Sequence, residues 1–551
     1  MRTIKSLALG AGFGFITLAV FVQGFLPAVT PESRDKKVTR AVRNDLGEVK
    51  WVWYEAADYT PLEQRGRRVY IREGCWYCHS QYVRPVTGEE FRWGPVSEAG
   101  EYHFDAPHLF STRRIGPDLT REGLKFADGW HYAHHWDAQM VVPDSNMASF
   151  KWLFHQLRIP VRKAGEAYVL GDQPELGRYF TMAPEPKVLL FPNEAGLAFA
   201  DPQGHEGKIP GMPVLELRHF GDRPPAFAAI TLVVPSADMV GLVAYLQKLG
   251  TTRGAWREVF EPQNVAVSVM EVPRTLKLVE RGREVYMQRC VGCHGEKGDG
   301  NGPAATFLQP RPRDFTVPAF KFRTTPSGSL PTDGDLFRTI TRGVRWTAMP
   351  TWHELHEKDR LAVIQFIKTF APDFWKDPPE PPLVIPEPPP ATPELVIKGK
   401  ELFVKAKCWE CHGNEGKGDG PSAGQLKTDD KLPIRPTDFT RGQFKGGSSV
   451  RDIFRTMSTG LNGTPMPSFT ESMKEEERWA ISYFVLSLSA FADPLTGQKL
   501  RLDAQTKAML NRPDTATDAR YAYDPDRGAA LVAGSAEFHR YRFGLRGGPK
   551  D

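Results

Sequence analysis

Six cysteines occur in 551 residues, and all of them fall into three copies of Cys-x-x-Cys-His: Cys75-Trp76-Tyr77-Cys78-His79, Cys290-Val291-Gly292-Cys293-His294 and Cys408-Trp409-Glu410-Cys411-His412. This pentapeptide is the attachment signature of a c-type haem. Each thiol adds to one porphyrin vinyl group as a thioether. The two-residue spacer sets both sulfurs on one side of a helical turn, and the following histidine presents its imidazole to the iron. Three covalently bound haem c are expected, held by Cys75, Cys78, Cys290, Cys293, Cys408 and Cys411, with His79, His294 and His412 as iron ligands. A thioredoxin-like Cys-x-x-Cys needs a βαβ pattern around it, and none is apparent. A zinc site needs a second ligand pair at finger spacing, and these motifs lie too far apart for that. No cysteine is left for a disulfide.

The chain is long enough for several domains, each with its own core. A net charge of +5 is small for this length and gives no reason to expect nucleic-acid binding. Fifty glycines and 47 prolines fit small domains that wrap a cofactor in turns. The N-terminus, Met1-Arg2-Thr3-Ile4-Lys5, is basic and leads into an apolar run from about Leu7 to Val29. That run is close to the roughly 20 residues needed to span a bilayer. A cleaved signal peptide has a shorter apolar core of about 7–15 residues and a small-x-small cleavage site, which Phe25-Leu26-Pro27-Ala28-Val29 does not offer. An uncleaved anchor is expected, with its basic end in the cytoplasm and the remainder exported.

The motifs sit in a longer repeat. Gly66-Arg67-Arg68-Val69-Tyr70, Gly282-Arg283-Glu284-Val285-Tyr286 and Gly399-Lys400-Glu401-Leu402-Phe403 precede them. Each reads as a short amphipathic helix running into the haem site. A closing helix is predicted over 238–249, 359–370 and 477–488, with apolar residues at helical spacing. The early glycine of each opening helix would let the closing helix cross closely. The repeat resembles the class I cytochrome c fold. Between the helices a methionine on an irregular loop is the expected sixth ligand: Met349 in the second unit and Met466 in the third. Met457 is the rival in the third, but it lies in a predicted helix, where packing suits it better. A glycine-rich loop recurs after the second and third motifs, at 295–303 and 413–421. It lacks the Lys-Ser/Thr ending of a phosphate cradle and reads as turning beside the haem edge. Pro312 and Pro436 then mark segments that, in cytochromes of this kind, pack on the haem and offer a backbone carbonyl to the ligand histidine.

The first unit carries further segments: Ser80-Gln81-Tyr82-Val83-Arg84-Pro85, Arg92-Trp93-Gly94-Pro95, Ser111-Thr112-Arg113-Arg114-Ile115-Gly116-Pro117-Asp118-Leu119, Trp130-His131 and Val142-Pro143-Asp144-Ser145-Asn146-Met147. In this order, behind a membrane anchor, they closely resemble the membrane-anchored monohaem subunit (subunit II, CcoO/FixO) of cbb-type cytochrome c oxidases. The resemblance covers roughly residues 1–150 and resumes at 242–246. It implies Met147 as sixth ligand of the first haem, Pro117 as the carbonyl facing His79, and Arg113 or Arg114 as partners of haem propionates. Ala148 follows Met147 where the family usually has proline, and Met212, before Pro213, is a distant rival. His131 is taken as structural, and His134 and His135 as a solvated helix face.

The expected fold is mainly α, with a transmembrane helix followed by three cytochrome c-like domains. The expected boundaries are 1–30 for the anchor and 31–253 for the monohaem domain, with an inserted lobe at about 152–235. Domain 2 follows at 274–372, a proline-rich spacer at 373–393, domain 3 at 394–492 and a polar tail at 493–551. The resemblance implies an electron-transfer subunit without chemistry of its own, anchored in the inner membrane with its haem domains on the periplasmic side. It would take electrons from a periplasmic donor, such as a cytochrome c, and feed a haem–copper catalytic subunit that reduces dioxygen. A nitric oxide reductase as the partner, a haem enzyme such as a peroxidase, and a haem-based sensor are the alternatives.

Overall fold

A computed structural model of the chain describes residues 2–29, 36–85, 88–164, 167–170, 188–201, 215–217, 227–260, 274–353, 355–376 and 378–502. The apolar N-terminal run forms helix α1 (Arg2–Val20), continued by one π turn at Phe21–Phe25 and a last turn at Leu26–Val29. Its span Thr3–Phe25 is long and apolar enough to cross a membrane, and none of it is buried against the rest of the chain.

Three helical pairs form the frame of the haem domains. The opening helices are α2 (Pro61–Arg72), α5 (Leu276–Arg289) and α8 (Pro393–Lys405). The closing helices are α4 (Ala237–Lys248), α7 (Glu357–Ile367) and α10 (Glu475–Ser487). In the first pair a threonine cap and Pro61 start α2, and Ser236 caps α4. The pairs cross where the repeat places its glycine. A Cβ on Gly66 would lie 1.8 Å from the Gly241 carbonyl oxygen, one on Gly282 2.1 Å from that of Ala362, and one on Gly399 2.0 Å from that of Ala480. No side chain larger than hydrogen fits there.

Two features were not expected from the sequence. Strands β1 (Lys37–Arg43) and β2 (Val49–Glu55) form an antiparallel hairpin directly after the anchor. The inserted lobe contains a six-stranded sheet of β3 (Phe154–Ala164), β4 (Ala167–Leu170), β5 (Val188–Leu190), β6 (Leu197–Phe199), β7 (Leu215–Leu217) and β8 (Ala229–Pro235). Their order across the sheet is β5-β7-β4-β3-β8-β6. Leu190, Ala198, Ile230, Leu232 and Val234 give this sheet its own core.

The domains pack into one another. The hairpin holds the end of domain 3: Arg40 pairs with Asp493 at 2.7 Å, the Phe491 N–H donates to the Arg43 carbonyl at 2.9 Å, and Val42 and Val52 pack with Phe491, Leu500 and Leu502. Domain 2 lends Ala304, Phe307, Leu308 and Ala348 to the core of domain 1. Phe199 of the lobe packs between Tyr132 and Phe307 with both rings tilted, their centres 5.2 and 4.7 Å away. The proline-rich segment opens on a helical turn, Asp373–Lys376, and from 378 to 392 runs without regular structure along both later domains. The Leu383 N–H reaches the Thr324 carbonyl at 2.8 Å, and the Tyr483 hydroxyl reaches that of Pro389 at 2.6 Å.

Domains 2 and 3 are joined through an ion pair. Asp452, on α9 (Val450–Thr459), accepts from Arg455 at 2.8 Å and from Arg342 of domain 2 at 3.3 Å. Burial opposes its ionisation, but Arg455 and Arg342 outweigh burial and hold the carboxyl down at about 2. Its unfolded value is near ~3.9. The folded pKa is the lower one, so the stabilisation is present above ~pH 4 and is lost as pH falls through about 2. It amounts to roughly 3 kcal/mol. Asp452→Asn should lower the unfolding free energy by that amount at pH 7 and erase the difference from the parent chain near pH 2, as read by denaturant titration at the two pH values.

Candidate haem sites

The three attachment motifs adopt the same turn. His79, His294 and His412 each donate a backbone N–H to the carbonyl of the first cysteine of their motif, at 3.0, 3.0 and 2.9 Å. Both cysteines and the histidine therefore point to one side. The six thiols are half-buried and none is in a disulfide. Burial pushes Cys75, Cys290 and Cys293 up to about 12, and Cys408 up to about 11. Such thiols are poor thiolate ligands or nucleophiles. Among the described residues no group of three or more His, Cys, Asp or Glu could hold a metal ion.

Burial keeps the three imidazoles neutral. Burial lowers His79, and it pushes His294 and His412 down to about 4. His79 Nδ1 donates to the Pro117 carbonyl at 2.8 Å, and His294 Nδ1 to that of Arg313 at 3.0 Å. A carbonyl can only accept, so in both rings the proton sits on Nδ1 and the Nε2 lone pair is free for iron. The acceptor in domain 2 is one residue past the expected Pro312, whose own carbonyl turns to Gly300: a Cβ there would lie 2.7 Å from it. In domain 3 the offset repeats. The Thr437 backbone, not that of Pro436, is the group that raises His412, although no hydrogen bond to Nδ1 closes. The ring faces are packed as well. Phe315 stacks on His294 and Phe439 on His412, each at 4.4 Å. In domain 1 Gly116 takes that place, and a Cβ there would lie 2.2 Å from His79 Cε1.

The methionine loops share a local device that sequence reading missed. Met147 donates its N–H to Ser145 Oγ at 3.2 Å, Met349 to Thr347 Oγ1 at 3.0 Å, and Met466 to Thr464 Oγ1 at 3.3 Å. The Met349 and Met466 carbonyls accept from Val344 and Leu461, both at 3.1 Å. The hydroxyl two residues ahead is the sequence signal: Ser-x-Met or Thr-x-Met in every unit. All three methionines are half-buried. Met457 instead lies inside α9, 5% exposed in the domain 3 core, with the Ser482 hydroxyl 3.7 Å from its sulfur. Met212 lies outside the described residues.

The first domain places its arginines and histidines as follows. Arg114 spends its guanidinium on Glu89 at 2.8 Å, on Ser80 Oγ at 2.7 Å and on the Tyr82 carbonyl at 2.8 Å. Arg113 has an exposed side chain. His134 and His135 are not on a solvated face. They lie on α3 (Asp128–Trp136), which packs inward; His135 is 5% exposed and His134 stacks on Trp130 at 4.6 Å. The contacts are within domain 1: His135 Nδ1 donates to the His131 carbonyl at 2.8 Å, and its ring lies 6.0 Å from that of Phe150.

The clefts around the second and third motifs open into a single cavity of about 1520 Å³ lined by His294, Met349, His412 and Met466 among others. The second motif also abuts domain 1. A Cβ on Gly292 would lie 2.1 Å from the carbonyl oxygen of Met140, on the turn that leads to Met147. This cradle of paired thiols and a buried histidine, repeated in each domain and joined in domains 2 and 3 by a methionine loop lining the same cavity, fits a covalently bound haem c.

The fold and these three sites define a multi-domain c-type cytochrome. Residues 47–167 match the family of the monohaem subunit of cytochrome c oxidase, FixO; residues 277–367 match subunit III of the cbb3-type oxidase; residues 396–489 match cytochrome c. The chain thus carries several cytochrome c domains in one polypeptide, two of them matching families of cbb3-type oxidase subunits, and three motifs for haem c. It is 28% identical over 208 residues to the cbb3-type cytochrome c oxidase subunit CcoP of Helicobacter pylori, a match that takes in 36% of this chain and 60% of that protein. A chain of the reducing HAO-like protein complex of Kuenenia stuttgartiensis is 46% identical, with 40% of this chain and 99% of that one covered, at a TM-score of 0.39.

Proposed function

We propose that this chain is the electron-transfer subunit of a membrane cbb3-type terminal oxidase. It takes electrons from a periplasmic donor through domains 2 and 3 and delivers them from domain 1 to a haem–copper subunit that reduces dioxygen. Bound haem supplies one-electron chemistry at potentials that the axial ligands and their surroundings tune. The chain's own residues supply the rest: Cys-x-x-Cys-His turns for attachment, buried neutral histidines, and hydroxyl-braced methionine loops. The observation that carries the reading is the contiguity of the sites. The second motif rests on domain 1 through Gly292, and its cleft is continuous with that of the third. The helix Thr3–Phe25 would anchor domain 1 beside its partner. The basic Arg2 and Lys5 would remain cytoplasmic, leaving the haem domains on the periplasmic side.

Purification of the intact chain in mild detergent tests this. A b-haem and copper subunit should accompany it, and the preparation should consume dioxygen with a reduced donor and stop on cyanide addition. A copper-free complex that reduces nitric oxide, or a lone cytochrome, would overturn the oxidase assignment.

A further inference from the structure

Domains 2 and 3 repeat each other beyond their motifs. Phe315 and Phe439 stack on their histidines at the same distance, and Gly343 and Gly460 share a positive φ of 67° and 65°. Six residues past each stacking phenylalanine stands a lysine, Lys321 in domain 2 and Lys445 in domain 3. Both line the one cavity into which the two clefts open. The domains meet here: Arg323 of domain 2 donates to the Thr459 carbonyl of domain 3 at 2.7 Å, and Phe322 lies against Gly446.

This brings like charges together with little to offset them. Burial first, then Lys445 and Arg313, lower the Lys321 pKa, while Asp430 opposes. Among the described residues neither lysine makes a hydrogen bond or salt bridge. Arg313 also lines the cavity, and its Nε is buried without a partner. Its neighbours Asp314 and Asp430 form no salt bridge with any of the three cations among the described residues. Partly desolvated cations placed this way call for anions from within the cavity. The groups that the two clefts are shaped to bring are haem carboxylates.

We propose that Lys321 and Lys445 form one shared cationic seat, at the junction of domains 2 and 3, for the propionates of the second and third haems. The seat rests on the three-haem reading and adds a coupling between two of them. Each lysine acts on both haems, because each faces the cavity common to both. A nearby cation favours the reduced, less positive iron. Removing it therefore lowers the reduction potential.

The test uses the full chain in detergent, with haem counted by pyridine haemochrome, folding checked by Soret circular dichroism, and the three potentials resolved by spectroelectrochemical titration. Lys321→Gln and Lys445→Gln should each lower two potentials and leave the third unmoved. Lys321→Arg and Lys445→Arg should keep all three at the parent values. If each Gln variant moves a single potential, the lysines serve separate haems and the shared seat is wrong. If no potential moves in a chain that still carries three haems, the lysines hold no propionate. If inorganic phosphate shifts the parent's potentials and the Gln variants no longer respond, the seat takes a free anion instead. If a Gln variant misfolds, the Arg variants decide: potentials displaced despite the retained charge overturn the proposal. Fewer than three haems in the parent chain would sink the underlying reading itself.

Discussion

Gly399→Ala should selectively weaken domain 3. The position is helical, so alanine gains roughly 1 kcal/mol of helix propensity. Against this, the new Cβ would lie 2.0 Å from the Ala480 carbonyl oxygen, 2.6 Å from its carbon and 2.8 Å from Phe484 Cβ. The obstacle is backbone on a helix whose other face is core, with Ile481 and Val485 both buried. It cannot turn aside as a flexible side chain would. The helices must part, and the cost reaches or exceeds the upper end of overpacking, about 3 kcal/mol. The clash wins by about 2 kcal/mol or more. For a domain of this size each kcal/mol is worth about 4–8 °C, so its melting point should fall by about 10 °C. Soret circular dichroism on heating should show one of three haem environments lost early. Gly424→Ala is the control, since nothing lies within 4 Å of its Cβ. A Gly399→Ala chain that melts like the parent would mean that the helices do not cross this closely.

That crossing was legible in the sequence because its causes are local. A glycine at a fixed offset before each haem motif, followed far downstream by apolar residues at helical spacing, describes two helices in contact. The motif turn was legible for the same reason, whereas the hydroxyl that braces each methionine loop was passed over. The inserted lobe was not. Apart from β3 and β8 its strands run to only three or four residues, and β3 meets β8 only across a long separation, so no local period announces the sheet. The inward packing of His134 and His135 was hidden for a related reason. It depends on Phe150, which comes back onto the helix only after the intervening methionine loop and lies 6.0 Å from His135. The choice of Arg313 over Pro312 as acceptor turned on a single peptide, below what a proline-containing pattern can specify.

Met466→His should lower one haem potential by on the order of 0.1 V or more, a fraction of the roughly 0.8 V that axial ligands span. A thioether is a soft, weak donor that favours ferrous iron, whereas imidazole stabilises the ferric form. The loop can accept the exchange. Its shape is fixed by backbone bonds, from the Met466 N–H to Thr464 Oγ1 and from Leu461 to the Met466 carbonyl, rather than by the side chain. Met349→His should shift a second potential separately, because Thr347 and Val344 brace it in the same way. Met147→His should shift the third, with Ser145 as brace. Met457→Leu tests the rival. Its sulfur sits in the core beside Ser482, so this variant should cost some stability and leave every potential in place. Reduced-minus-oxidised titration of each variant, read with the sulfur-to-iron charge-transfer band, separates the two residues of domain 3. A potential that stays put in Met466→His and drops in a Met457 variant would move the ligand into the helix. The hydroxyl-braced loop would then be a structural turn that happens to carry methionine.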